Sequence, residues 1–312
     1  MGEIGGREVT RPKVVVLGAA GMLGHKLFQI LRERFPGTLA TTLEDVRKPP
    51  LDKVGLLHGN DVITGLDVAD FGGLQRTLAG VKPDFIVNCV GIIKQRLEAA
   101  SPIPSITINS LLPHKLAVLA KEWGGRVIHF STDCVFSGKR GAYVETDQSD
   151  ADDLYGKTKF LGEVAGENAL TLRTSIIGRE LVEHRSLLDW FLAQNHKSVR
   201  GFKRVVYSGI TTNEMAEVVT LVIRNYPTLA GLYQVVSEPV TKYDLLGLIR
   251  DAYGLDIEIV PDEKEVSDRS MKGDRFRAAT GYVAPPWPSL VKRLAEDPTP
   301  YREWSSHLPE ET

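Results

Sequence analysis

The amino-acid sequence predicts an α/β protein built on a doubly wound parallel sheet, with a smaller lobe formed by its C-terminal part. Three observations carry that expectation. Strand-like and helix-like stretches alternate through the first half of the 312 residues, the pattern of βαβ units with right-handed crossovers. The first strand-like stretch, KVVVLG at 13–18, is apolar almost throughout, as a strand covered by helices on both faces requires. A glycine-rich turn, GAAGMLG, leads straight from it into a stretch with helical spacing.

The remaining elements follow in order. GMLGHKLFQILRERF sets Leu23, Leu27, Ile30 and Leu31 on one helical side. TLATTL, DVITGLDV, PDFIVNCVG and RVIHFST are successive strand candidates, with helices expected at 70–79 and 105–122 and a further strand at 169–175. After Ser175 the pattern loosens. Helices are expected at 186–195 and 212–225, a strand at 231–237 that returns to the main sheet, and an amphipathic helix in TKYDLLGLIRDAYG stopped by Gly254. VAPPWPSL reads as a rigid turn. The resulting plan is a flexible N-terminus at 1–12, a main domain at 13–175 joined by the late strand, and a lobe made mainly by 176–312.

Composition excludes several classes. With 38 basic against 40 acidic residues, no bulk charge favours nucleic acid or an anionic membrane. No run of eighteen apolar residues offers a membrane span, and MGEIGGREVTRPK has no apolar signal core. Two cysteines, Cys89 and Cys134, make no disulfide framework. A cytoplasmic protein is expected. The seven histidines lack metal-binding spacing, and Ser131 lies outside any G-x-S-x-G elbow.

The glycine turn is the first candidate site. Gly18 permits a tight exit from the strand, Gly21 admits a pyrophosphate, and Gly24 lets helix and strand pack closely. The spacing is a variant of G-x-G-x-x-G. The helix start, with Met22 and Leu23, offers free N–H groups and a partial positive charge to phosphates. A Rossmann-type site for NADH or NADPH is therefore expected. The acidic residue that would meet a ribose about 20 positions on falls at Glu44 or Asp45, but Arg47 and Lys48 follow and suit a 2′-phosphate. The choice of cofactor stays open. Asp67 and Val68 close the third expected strand, and Cys89, Val90 and Gly91 close the fourth, where a cofactor would cross the sheet's carboxyl edge.

The second candidate is Tyr155 with Lys159, one helical turn apart. A free tyrosine has a pKa of about 10, and a lysine at i+4 favours its phenolate. Ser131 or Thr132, ending the fifth strand, would hydrogen-bond the same substrate oxygen. Such a set protonates a carbonyl oxygen as hydride arrives, or does the reverse. His129, inside an apolar strand, reads as a satisfied core residue.

The runs VVVLGAAGMLGHKL, KPDFIVNCVG, INSLLPHKLA, VIHFSTDCVFSG, YVETDQSDADDLYGKTKFLGE and LRTSIIG resemble the extended short-chain dehydrogenase/reductases, and within them the dTDP-4-dehydrorhamnose reductase-like proteins. The resemblance implies that Gly18, Gly21 and Gly24 hold the cofactor and that Tyr155 donates the proton. Lys159 would lower the Tyr155 pKa and hold the nicotinamide ribose. Ser131 or Thr132 would bind the keto oxygen, and Asn109 would support the site. It implies a nucleotide-linked 4-keto-6-deoxy sugar, reduced at C4, as substrate, and a homodimer as the default assembly. Similar dehydratases carry Asp-Glu after the threonine; here Asp133 is followed by Cys134, so Asp133 reads as structural. Arg179, Arg200, Lys203, Arg204 and Arg275 are candidate cations for a diphosphate. Two rivals use the same features: a nucleotide-sugar epimerase with bound NAD, and a non-catalytic subunit like the regulatory partner of methionine adenosyltransferase.

Overall fold

Val14–Leu17 (β1) alternates between two apolar layers, and this sets the architecture. Val14 and Val16 pack into one core while Val15 and Leu17 pack into another, so neither face can meet water and both must be covered by helices. The structure, a computed structural model, describes residues 11–93, 101–182 and 185–304. The first ten residues, expected to be flexible, lie outside them.

After β1 come α1 (Met22–Arg34), β2 (Leu39–Thr41), β3 (Val62–Ile63), α2 (Phe71–Val81) and β4 (Phe85–Asn88). A continuous helical stretch follows, made of α3 (Pro102–Ser105), a π-helical turn at Ile106–Leu111 and α4 (Leu112–Lys121). Then come β5 (Arg126–Thr132), α5 (Leu154–Leu161) and β6 (Ala169–Thr174). Beyond them lie β7 (Ile176–Ile177), α6 (Leu187–Leu192), β8 (Ser198–Phe202), β9 (Val205–Tyr207), β10 (Ile210–Thr211), α7 (Thr212–Asn225) and β11 (Gly231–Gln234). The chain closes with β12 (Val240–Thr241), α8 (Lys242–Tyr253), β13 (Glu258–Asp262), β14 (Ser267–Asp268), α9 (Asp274–Thr280), α10 (Trp287–Ala295) and α11 (Tyr301–Trp304).

The main sheet has seven strands in the order β11-β6-β5-β4-β1-β2-β3, every pair parallel. The order reverses at β1, and ligands of open α/β sheets bind beside such a reversal, at the carboxyl ends of the strands. One face is covered by α1 and α7 through Leu27, Phe28, Leu31, Met215, Val218, Val219 and Val222. The other is covered by α2 and α4 through Leu74, Leu78, Leu112, Leu116 and Leu119. A third cluster joins α6, α8 and α10 through Leu188, Phe191, Leu245, Ile249, Trp287, Leu290 and Leu294.

Three local expectations are corrected. The third strand ends at Ile63, and Asp67 and Val68 lie in the turn before α2. There the Asp67 carboxylate accepts a hydrogen bond from the Ala69 N–H at 2.8 Å, a local bond that competes with a strand ladder. The helix expected at 105–122 begins at Pro102 and contains the π-helical turn. VAPPWPSL is not all turn: Trp287 opens α10, with a proline in its first turn where no N–H is required. Trp287, Leu290, Val291 and Leu294 share one buried helical face, and that spacing outweighs the prolines.

Candidate active site

Two of the three glycines are required by close backbone packing. Gly18 has φ +80° and presses on the β4 exit, so a Cβ there would come within 2.9 Å of Val90 Cγ2. A Cβ on Gly24 would stand 2.1 Å from the Gly18 carbonyl oxygen, which is why α1 can begin this close to β1. Gly21 is the N-cap of α1 and supplies no side-chain cap. The first-turn N–H groups, at Met22 and Leu23 onward, are thus open to an anion. Cys89, Val90 and Gly91 follow β4 beside this turn, tied to it by the Cys89 N–H donating to the Leu17 carbonyl at 3.1 Å. Burial pushes the Cys89 thiol up, so it stays protonated and acts as a small apolar wall. Beyond β2, Asp45 and Arg47 bond to each other at 2.9 and 3.0 Å.

Contacts from the far end of the chain hold this turn. His25 Nδ1 meets the Gly21 carbonyl at 2.9 Å and Nε2 meets the Tyr301 hydroxyl at 2.8 Å. A carbonyl can only accept, so Nδ1 carries the proton and Nε2 accepts from Tyr301. Next to it, Lys26 and Asp297 form a buried ion pair at 2.7 Å, with Asn213 donating to the same carboxylate at 2.7 Å. His25 is fully buried, and burial lowers its pKa from 6.5 to about 4. Below pH 6.5 the unfolded chain binds a proton that the folded chain refuses, so stability falls as pH drops from 6.5 toward 4. About 2.5 pKa units correspond to roughly 3 kcal/mol over that window. Urea unfolding at pH 7 and pH 5 will show the loss, and His25→Gln will remove its share.

After β5, Asp153 caps α5 by accepting from the Gly156 N–H at 2.7 Å. This starts the helix one residue before Tyr155 and puts Tyr155 and Lys159 on one face. The Tyr155 phenol is hydrogen-bonded with Thr132. Its pKa is raised, first by burial, then by Cys134, with Asp133 and Asp153 adding to the rise and Thr132 opposing it. Lys159 itself is buried; its ammonium donates to the Phe130 carbonyl at 2.6 Å, and burial brings its pKa from 10.5 to about 8.

The structure separates the two candidate hydroxyls. Ser131 donates to Glu163 Oε1 at 2.6 Å, and Glu163 in turn holds the buried Arg173 through two bonds of 2.8 and 2.7 Å. Ser131 therefore belongs to an internal network, while Thr132 faces the phenol. Thr132 also accepts from the Cys134 N–H at 3.1 Å and donates to Asp133 at 3.2 Å. Asn109, on the π-helical turn, clamps both backbone groups of Ile92 at 2.9 Å and reaches Thr158 at 3.3 Å. It fastens the loop after β4 to the helix that carries Tyr155.

Of the proposed diphosphate cations, Arg179 pairs with Asp189, Arg200 with Asp262 and Lys203 with Glu263. Arg204 is exposed, and Arg275 stacks on Tyr233 at 4.8 Å. Nearer to the STD run lie two cations that sequence reasoning did not single out, Lys242 and Arg269. Both act electrostatically on the buried Asp133. Lys242 sits 4.8 Å over the Tyr207 ring, and Arg269 donates to the Phe136 carbonyl at 2.9 Å. Neither forms an ion pair among the described residues. Their separation in sequence from the STD run left no spacing by which to find them. Among the described residues no group of His, Cys, Asp and Glu could hold a metal ion, and no helix is long and apolar enough to cross a membrane.

Comparison with known proteins fits this arrangement. The family profile described as "RmlD substrate binding domain" matches residues 12–297. The chain belongs to that family. Among curated relatives, the spore coat polysaccharide biosynthesis protein SpsK of Bacillus subtilis is 25% identical over 258 residues, covering 80% of this chain and 82% of that protein. The dTDP-4-dehydrorhamnose reductase of Salmonella typhimurium is 26% identical over 270 residues, covering 78% and 90%. Among solved structures, the dTDP-4-dehydrorhamnose reductase of Bacillus anthracis in complex with NADP superposes with a TM-score of 0.75 at 17% identity, covering 91% and 99%. This RmlD-family chain therefore has the Rossmann-type α/β fold.

Proposed function

We propose that this RmlD-family chain is an NAD(P)H-dependent reductase of a nucleotide-linked 4-keto-6-deoxy sugar, with Tyr155 as the proton donor. The observation that carries the proposal is the hydrogen bond between the Tyr155 phenol and Thr132 at the carboxyl end of β5, with Lys159 one helical turn further along α5. The relatives named dTDP-4-dehydrorhamnose reductase support the substrate class. The glycine turn fits a dinucleotide: Gly18, Gly21 and Gly24 and the uncapped start of α1 would take the pyrophosphate, and Val90 and Gly91 would flank it. A reduced nicotinamide, when bound, supplies the hydride.

The protein's own residues do the rest. Thr132 orients the carbonyl oxygen, and Tyr155 gives it a proton as negative charge develops. Lys159 supplies positive charge on the Tyr155 face of α5. Lys242 and Arg269 bring positive charge to the same region, suited to the phosphates of a sugar nucleotide. Asp133 is followed by Cys134 and not by a second carboxylate, so one of the two carboxylates that would serve as acid and base in eliminating water is missing.

The test is oxidation of NADPH and of NADH by the purified protein with dTDP-, UDP- and GDP-linked 4-keto-6-deoxy sugars. One NAD(P)H consumed per sugar reduced supports the reading. Interconversion of sugars without net consumption makes the chain an epimerase, and no turnover with a stoichiometric protein partner makes it a binding subunit.

A further inference from the structure

We infer that His129 is a positioning residue which, held by Asn88 as its Nε2–H tautomer, turns an N–H toward Lys159 and biases that lysine toward its amine form. The inference rests on the reading of Lys159 as part of the Tyr155 proton-transfer site.

The geometry starts at the sheet register, where Asn88 and His129 are direct partners on β4 and β5. Both are buried, at 1% and 0% exposure. The Val90 N–H donates to Asn88 Oδ1 at 3.2 Å. A backbone N–H can meet only the amide oxygen, so the orientation of the carboxamide is fixed by its neighbour. Its Nδ2 then faces His129 Nδ1 at 3.1 Å. An amide NH₂ can only donate, so Nδ1 holds the lone pair and the ring proton sits on Nε2. That nitrogen lies 3.5 Å from Lys159 Nζ, against 2.6 Å for the bond from Nζ to the Phe130 carbonyl. An N–H facing an ammonium makes no hydrogen bond, whereas an amine lone pair can accept one.

The charged and titratable groups around the pair are few. Glu163 favours the Lys159 ammonium but is already bound to Arg173 and Ser131, and Cys89, the next group facing it, is held by burial as a neutral thiol. His129 is met by Lys159 and, more weakly, by His114. Burial and the lysine charge keep its imidazole neutral well below the usual histidine range. The histidine therefore acts as a fixed dipole through the working pH range, not as a second titrating base.

The experiment is an NMR titration of the intact protein, independent of turnover. Lysine labelled with ¹³C at Cε is followed against pH, the Lys159 signal being assigned by its loss in Lys159→Met, and ¹⁵N shifts of the His129 ring report the tautomer. Expected are an Nε2–H imidazole and a Lys159 midpoint near 8 in the wild type and in His129→Gln, whose amide keeps an N–H at that place. In His129→Leu the midpoint moves up by about one unit, because the opposing dipole is gone. Asn88→Asp draws the ring proton to Nδ1 and also raises the midpoint. An unchanged midpoint in His129→Leu overturns the inference, as does a ring proton on Nδ1 in the wild type or one retained on Nε2 in Asn88→Asp. If either variant is unfolded by circular dichroism, the other decides. Because no substrate is present, failure here is distinct from failure of the reductase reading.

Discussion

Tyr155→Phe is expected to cut turnover by about 10²- to 10⁴-fold, the range for loss of a positioned proton donor. The ring and its packing remain, so the fold and dinucleotide binding should survive. Losing one hydroxyl that bonds Thr132 costs about 1 kcal/mol of stability. Steady-state rates, with cofactor affinity measured by fluorescence, separate the two effects. A variant retaining more than a tenth of wild-type turnover would remove Tyr155 from the chemistry. The pH profile adds a second check. Burial keeps the phenol protonated, so tyrosine ionisation does not limit the reaction near neutrality. Lys159 loses its charge near pH 8, and reductive turnover should therefore fall as pH rises through that value.

Glu163→Ala carries the largest expected effect on stability. Arg173 is 1% exposed and Glu163 7%, and the guanidinium also stacks on Phe136 at 4.9 Å. Removing the carboxylate leaves a buried charge without its partner, which costs about 3–5 kcal/mol. Native domains have only about 5–15 kcal/mol in total, so the urea midpoint should fall sharply. The double variant Glu163→Leu with Arg173→Met replaces both ions by apolar groups and should recover most of the loss. A loss below about 1 kcal/mol in Glu163→Ala would mean that water reaches Arg173, against the burial described above. Ser131→Ala loses only a donor to this pair and should leave turnover within a few-fold of wild type, whereas Thr132→Val should not.

The contrast between those two neighbours shows where reading the chain stops. Spacing along the sequence was enough for the apolar β1, for the three glycines that follow it, and for Tyr155 and Lys159 one turn apart, because each depends on residues within a few positions of one another. The fold class follows from the same local periodicities. Ser131 and Thr132 are adjacent and chemically alike, and only the pleat of β5 sends them to opposite faces. Which face meets the phenol is decided by Glu163, 32 positions away from Ser131. The same holds for Asn109, whose partner Ile92 is 17 positions distant, and for His25, whose partner Tyr301 is 276 positions distant. His129 reads from sequence as a core residue; the β4–β5 register places Asn88 beside it, and the packing of α5 on β5 brings Lys159, 30 positions away, to its other ring nitrogen. The sequence by itself determined the α/β class, the glycine turn and the Tyr–Lys pair. The tertiary structure decided which hydroxyl meets the Tyr155 phenol, which cations lie near Asp133 and what surrounds Lys159, since each is a contact between residues that only the folded chain brings within hydrogen-bond or Coulomb range.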